Sequence, residues 1–332
     1  MRAVTWNELG AQPALRDDLP EPTPGAGEVL VRVHASSVNP VDNGIAAGSV
    51  KDMVPHEFPV TLGRDFAGIV EQVGDGVTGV SAGDEVFGFV PAMGPTVHVG
   101  SWAELIVVPE AALSRKPDGV DTAAAGAAPL AAVTATMCVD ALDLSQGDTV
   151  LIAGATGGVG SFVVQLAAAA GATVIAPALP EDEDYLRGLG VTEVLPRDAD
   201  LVAAVRERHP DGVDAIVDLV NFAPGTYDAA LKDGGRVSSS TNAAGEGPGR
   251  TNVIAAPFQD ILGRIAQHLA DGTLKVPVHQ TYDLAQAPDA LQALGTTHVQ
   301  GKLALRASTM HSQQPQDEKP MSTATVSRTS DS

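Results

Sequence analysis

The chain is poor in cysteine, in aromatic residues and in positive charge. Among 332 residues there is one cysteine, Cys138. A single cysteine forms no internal disulfide, and no CxxC pair exists to hold a structural metal. Beside Met137, Cys138 reads as a small core residue rather than a catalytic thiol. Aromatic residues are 4% of the chain against 44% hydrophobic residues, so the expected core is aliphatic, built from Ala, Val and Leu. Lysine and arginine number 20 against 41 acidic residues, a formal charge of -21. A surface that negative repels nucleic acid and anionic lipid. No apolar run is long enough to cross a bilayer, and the first ten residues hold no apolar signal region. The expectation is a soluble cytoplasmic protein with neither a nucleic-acid nor a membrane partner. HExxH and a P-loop lysine are missing, which argues against the zincin and nucleotide-triphosphatase classes.

What is present falls into two textures. Strand-like runs at residues 29–33, 67–73, 85–90 and 102–108, separated by Gly and Pro turns, predict a small irregular β domain. Asp121 is placed to cap a helix through the alanine-rich stretch towards Leu130, with Pro129 forcing a bend or break. From residue 149 strand and helix alternate: strands at 149–153, 173–176, 213–220 and 236–239, helical composition at 161–170 and 185–189. This pattern predicts an α/β doubly wound parallel sheet. Residues 257–270 and 284–294 have helical periodicity, and 302–305 form a closing strand. Residues 307–332 are rich in Ser, Thr and Gln and predict a disordered tail without a catalytic role.

The strongest local motif is Gly154-Ala155-Thr156-Gly157-Gly158-Val159-Gly160, between the 149–153 strand and a helix. That context is the one a dinucleotide-binding loop requires. Gly154 permits the tight turn out of the strand. Gly157 and Gly158 let backbone amides approach a diphosphate, and Gly160 permits close packing of helix on strand. The helix N-terminus adds free N–H groups and a positive dipole. The second strand ends in Ala178-Leu179, without the carboxylate that accepts from a ribose 2′-hydroxyl. NADPH is therefore the expected dinucleotide, with NADH possible. The run from Glu181 to Asp184 follows closely. It would repel a 2′-phosphate unless Arg187 or Arg197 intervenes; alternatively it caps the next helix.

Other segments carry a family resemblance. They are Asn39-Pro40-Val41-Asp42, Leu62-Gly63-Arg64-Asp65-Phe66-Ala67-Gly68, Gly83-Asp84-Glu85-Val86-Phe87-Gly88, Gly100-Ser101-Trp102-Ala103-Glu104, Gly234-Gly235-Arg236-Val237 and Gly301-Lys302-Leu303. With the glycine loop, their order and spacing resemble the medium-chain dehydrogenase/reductase superfamily, in its zinc-independent quinone oxidoreductase-like branch. The resemblance implies a GroES-like β-rich catalytic domain, from residues 1–118 and 276–306, with a Rossmann domain at 119–275 inserted between. It also implies an active-site cleft between the two and a homodimer or homotetramer joined partly through sheet edges. Zinc-dependent members place a Cys at the position of Asn39, His-Glu at Arg64-Asp65 and a further Cys near Leu130. No zinc is therefore expected.

Hydride transfer needs the nicotinamide held at about 3–3.5 Å from an electrophilic carbon, and a means of stabilising the oxyanion that develops. The candidate catalytic residues are Asn39, Asp42 and Thr134. Asn39 reads as a neutral donor near nicotinamide or substrate oxygen, or as an Asx turn into Pro40. Asp42 reads as a loop anchor, a ribose contact or a helix cap. Thr134 matches a family threonine close to the nicotinamide, and reads equally as an ordinary helix position. The candidate cofactor-binding residues are Gly154 to Gly160, Ala178, Asn221, Ser239 and Lys302. Arg64 and Asp65 read as a structural ion pair. Asn43-Gly44 occupy the place of a tyrosine found in many quinone and enoyl reductases. Met53, Phe58, Phe89, Met93 and Phe258 lie where they could floor an apolar pocket, or belong to the core. The expected activity is NADPH-dependent reduction of a quinone or α,β-unsaturated carbonyl. The alternatives are an enoyl reductase acting on a polyketide-like intermediate, and a non-catalytic NADPH-binding protein of the same fold.

Overall fold

Five consecutive apolar or β-branched residues, Thr149–Ala153, form a strand whose last four residues are buried. Burial on both faces is what a central parallel strand requires. In this computed structural model, which describes residues 1–8, 10–49, 51–91 and 97–307, that strand sits inside a six-stranded sheet. The spatial order is Glu193–Pro196, Thr173–Ala178, Thr149–Ala153, Val213–Asp218, Leu231–Ser239 and Arg250–Asn252. All neighbouring pairs are parallel. The order runs outward in both directions from the glycine-loop strand, so a crevice opens at its C-terminal end. Met93 and the stretch 308–332 lie outside the described residues.

The alanine-rich stretch makes two helices rather than one. Asp121 caps Thr122–Ala127 through a hydrogen bond from Ala124 N at 3.0 Å. Pro129 then starts a second helix, Pro129–Asp140, at a position where its missing N–H costs nothing. This second helix packs with the glycine-loop helix Gly158–Ala169 in an aliphatic core that includes buried Cys138. Phe89 belongs to the same core, fully buried, and so floors no open pocket. Met53 is exposed, as are Phe58 and Phe258 in large part.

A second sheet of seven strands draws on both ends of the chain. Its path is Val278–Asp283, Lys302–Arg306, Glu28–Val38, Asp65–Val73, Glu85–Phe89 and Leu113–Arg115, with Leu105–Pro109 also pairing on Glu28–Val38. Lys302–Arg306 runs antiparallel to Glu28–Val38 with Leu303 opposite Val38. That register brings Lys302 to the mouth of the Asn39 turn, across a gap of 263 residues.

Candidate active site

The turn after Thr149–Ala153 has the geometry its glycines require. Gly154 has φ 92°, a left-handed conformation that other residues rarely adopt. A Cβ at Gly160 would lie 2.1 Å from Gly154 O, so only glycine lets the helix start this close to the strand. Facing the loop is a strap from the other sheet. Gly301 N donates to Thr156 O at 2.8 Å, and Gly157 pairs with Gly301 as an isolated bridge. Between loop and strap lies a cavity of about 300 Å³. Its lining includes Asn39, residues 156–159, Arg197, His298 and Lys302.

The strap is clasped at its other side by Asp182. One carboxylate oxygen accepts from His298 Nε2 at 2.7 Å and from Gln300 Nε2 at 2.8 Å. Burial pushes the Asp182 carboxyl up, but these two hydrogen bonds bring it below its ordinary value. Asp182 also borders the hollow lined by Gly154 and Ala178, with this one oxygen committed to the strap. Arg187 is held by Glu183 at 2.7 Å and by Thr192 O at 3.2 Å. Arg197 is different: its guanidinium has no partner among the described residues. It borders both the loop–strap cavity and the hollow lined by Gly154, Ala178 and Tyr227. Of the two arginines near the acidic run, only Arg197 is available to a ligand.

Around Asn39 lies a buried polar cluster. Asn39 Nδ2 donates to Asp65 Oδ2 at 2.9 Å and to Ser37 Oγ at 3.3 Å. Its Oδ1 accepts from Lys302 Nζ. Asp65 also accepts from Ser37 Oγ and, through Oδ1, from Leu130 N at 2.6 Å. Asp42 accepts from Asn39 N at 2.8 Å and closes the turn into helix Pro40–Ala46. Burial pushes the Asp42 carboxyl up to about 6, against the pull of Arg64. Lys302 is 3% exposed, and burial lowers its ammonium against the pull of Asp65 and Asp42. Arg64 approaches Asp42 at 4.0 Å, while Asp65 turns to Lys302 at 3.5 Å. The two adjacent residues thus pair with different partners and not with each other.

Residues 25–118 match the alcohol dehydrogenase GroES-like domain family, and residues 189–305 match a family described as zinc-binding dehydrogenase. The chain is 30% identical to the chloroplastic NADPH-dependent alkenal/one oxidoreductase of Arabidopsis thaliana, over 92% of this chain and 79% of that one. It is 32% identical to phthioceranic/hydroxyphthioceranic acid synthase of Mycobacterium bovis, over 85% of this chain but 14% of the synthase. The quinone oxidoreductase structure from Coxiella burnetii superimposes with a TM-score of 0.81 at 28% identity, over 92% of this chain and 99% of that one. This chain is a medium-chain dehydrogenase/reductase. It is an oxidoreductase with a GroES-like sheet and a Rossmann sheet, as the sequence segments implied.

Within that superfamily frame the expected site residues divide into two groups. The glycine loop, Ala178, Asn39 and Lys302 line connected hollows along one groove. The hydroxyl of Thr134 is turned back to Leu130 O at 2.7 Å, an ordinary helix contact. Asn221 Nδ2 donates to Asp218 Oδ2 at 2.7 Å, which leaves its amide oxygen pointing elsewhere. Ser239 Oγ accepts from Thr241 N at 3.0 Å and Ala243 N at 3.1 Å, so it closes its own loop. Lys302, expected on the cofactor, directs its ammonium to Asn39 and Asp65 instead. Asp65 as the hub of the cluster, and the Asp182 clasp, were not legible as site features. Nothing in their local sequence reveals partners more than 60 and 100 residues away.

Asn39, Arg64 and Asp65 stand where the resemblance places metal ligands, with a further one expected near Leu130. Among the described residues, no group of three or more His, Cys, Asp or Glu converges on a point.

Proposed function

We propose that this oxidoreductase is an NADPH-dependent, zinc-independent reductase of quinones or α,β-unsaturated carbonyls. The observation that carries the reading is the groove from the open glycine loop to Arg197. Gly157 has no atom nearer to a prospective Cβ than Gly154 O at 3.5 Å, and residues 156–159 line the cavity, so the loop lies open to a ligand there. The twelve-residue helix Gly158–Ala169 points its N-terminus there. Arg197 supplies an uncommitted guanidinium beside Ala178, where a 2′-phosphate would lie. These groups fit NADPH. A local cation of this kind also offsets the global charge of -21.

Zinc does not fit the same chain. A divalent ion at Asn39 and Asp65 would stand against the Lys302 ammonium, with two carboxylates and no thiolate or imidazole to hold it.

In the reaction, the bound dihydronicotinamide supplies the hydride. The chain's own residues position and shield. The glycine loop and helix N-terminus hold the diphosphate. Arg197 takes the 2′-phosphate. The Gly301 strap and Asp182 clasp cover the groove and limit water. The Asn221 amide, held through its Nδ2 by Asp218 just beyond the end of Val213–Asp218, leaves its oxygen for a carboxamide N–H₂. No tyrosine stands after Asn39 to act as an acid, so the proton comes from solvent.

The enoyl reductase reading is the second, favoured by the similarity to the mycobacterial synthase, of which the chain spans 14%. Steady-state assays with NADPH and NADH on a simple quinone, a 2-alkenal and an enoyl thioester, before and after dialysis against a chelator, test all of this. Turnover with NADPH that survives the chelator is the expected result. Tight NADPH binding without turnover on any acceptor would favour the non-catalytic alternative. The division of the chain at residues 118, 275 and 306, a cytoplasmic setting, and a homodimer or homotetramer complete the proposal. The short edge strand Arg250–Asn252, with Ile254 exposed two residues on, supports assembly through the sheet edge.

A further inference from the structure

Lys302 is a buried cation at the Asn39 turn. Its Nζ contacts Asn39 Oδ1 and lies 3.5 Å from both Val38 O and Asp65 Oδ2. Asn39 and Asp65 stand at, and Leu130 near, positions where the resemblance places the ligands of zinc-dependent members, and here they are joined by hydrogen bonds through the Asp65 carboxylate. The stem of Lys302 reaches this point by crossing the glycine loop. A Cβ on Gly158 would sit 2.8 Å from Lys302 Cδ, so the absence of a side chain at 158 makes the crossing possible. Two carboxylates, Asp42 and Asp65, and two cations, Arg64 and Lys302, leave the buried cluster formally neutral. A neutral cluster is what a dry site tolerates.

We propose that the Lys302 ammonium is the resident cation of this site, standing where relatives hold a metal ion and meeting the negative charge that develops on the acceptor's carbonyl oxygen. The inference rests on the reductase reading and deepens it. The other donors at this end of the groove are engaged: Asn39 Nδ2 with Asp65 and Ser37, and Thr134 Oγ1 with Leu130 O. Two of the three Lys302 contacts are at the 3.5 Å limit, so N–H capacity remains for an incoming oxygen. Lys302 and Asn39 line the same cavity as the glycine loop. A fixed charge in a water-poor cleft stabilises an oxyanion without reorganising.

The step balances without a metal. A hydride forms a new C–H bond at the β-carbon, the C=C π pair shifts, and the carbonyl oxygen becomes an enolate paired with the ammonium. Lys302 keeps its proton; solvent protonates the α-carbon, and the cofactor leaves oxidised. An ammonium cannot bind an alcohol as a Lewis acid and acidify it, so the site suits conjugate reduction rather than alcohol oxidation.

Three variants test the proposal: Lys302→Met, Lys302→Met with Asp65→Asn to keep the cluster neutral, and Lys302→Arg. NADPH affinity is read by fluorescence titration, and kcat and KM on a 2-alkenal or quinone by steady-state kinetics. The expected result for both Met variants is an NADPH Kd within about threefold of wild type and a kcat lower by about 100-fold, the range for loss of an oxyanion partner. Lys302→Arg is expected to restore part of kcat and to remove the alkaline fall in rate that follows deprotonation of Lys302, whose surroundings carry Asp65, Asp42 and Arg64. If Lys302→Met fails to fold, the double variant decides. An NADPH Kd raised more than tenfold with saturated kcat unchanged would make Lys302 a diphosphate ligand and overturn the proposal. Unchanged kcat in the double variant would overturn it too. Failure of the wild-type protein to bind NADPH would instead strike the reductase reading beneath it.

Discussion

Replacing Gly160 by alanine is expected to weaken the fold and the cofactor site together. The added Cβ would lie 2.1 Å from Gly154 O and 2.7 Å from Ala155 Cα. Both are backbone atoms of the turn, so no side-chain rotation relieves the clash. Carbon contacts become favourable only at roughly 3.5–4.0 Å, so the start of helix Gly158–Ala169 must move by about 1 Å. Overpacking of this kind costs roughly 1–3 kcal/mol. At about 2–4 °C per kcal/mol, the melting midpoint falls by several degrees. The same displacement carries the loop amides away from the diphosphate. A loss of about 1.4 kcal/mol there raises Kd tenfold. Thermal melting by circular dichroism and NADPH titration by fluorescence, on one preparation, read the two effects separately. Wild-type melting and wild-type affinity would refute the packing argument. A lowered midpoint with unaltered affinity would break the link between this turn and the diphosphate.

Gly157→Asp makes the contrasting case. Gly157 has φ −76° and open space at its Cβ, so the variant should melt within about 2 °C of wild type yet lose NADPH binding as its carboxylate enters the cavity; unchanged affinity would refute the loop assignment. The Cys138 thiol, pushed up to about 12 by burial against the opposing effect of Ser238, should resist thiol reagents near neutral pH until the protein is denatured. Rapid labelling of native protein would count against that burial. Asp182 titrates below its ordinary value when folded, so its clasp contributes stability above the unfolded carboxyl range and loses it as pH falls through the folded value. Asp182→Asn should therefore lower the melting midpoint more at neutral pH than in acid, and an equal drop at both would show that the charge on Asp182 is immaterial.

Much of the fold was written in local pattern. The strand at Thr149–Ala153, the break at Pro129, the cap at Asp121 and the helix Gln259–Ala270 follow from apolar period, φ restriction and capping chemistry. Short pieces such as Ala14–Arg16 and Arg250–Asn252 escaped notice because three residues carry no period. Strand Val278–Asp283 is mostly polar and half exposed, and gains its place by pairing with Lys302–Arg306.

The site followed the same divide. The glycine loop was legible because Gly154 and Gly160 answer demands made within seven residues of chain: a left-handed turn and a close helix start. By itself the sequence determined the glycine-rich turn from strand to helix and the aliphatic parallel sheet. Only the tertiary structure decided which cations are free. Arg187 and Arg197 look alike along the chain, yet one is neutralised by Glu183 and the other opens onto the groove. Lys302 and Asn39 meet because two strands from opposite ends of the chain pair in one register. A charge acts through space, and sequence distance says nothing about that separation until the sheet has formed.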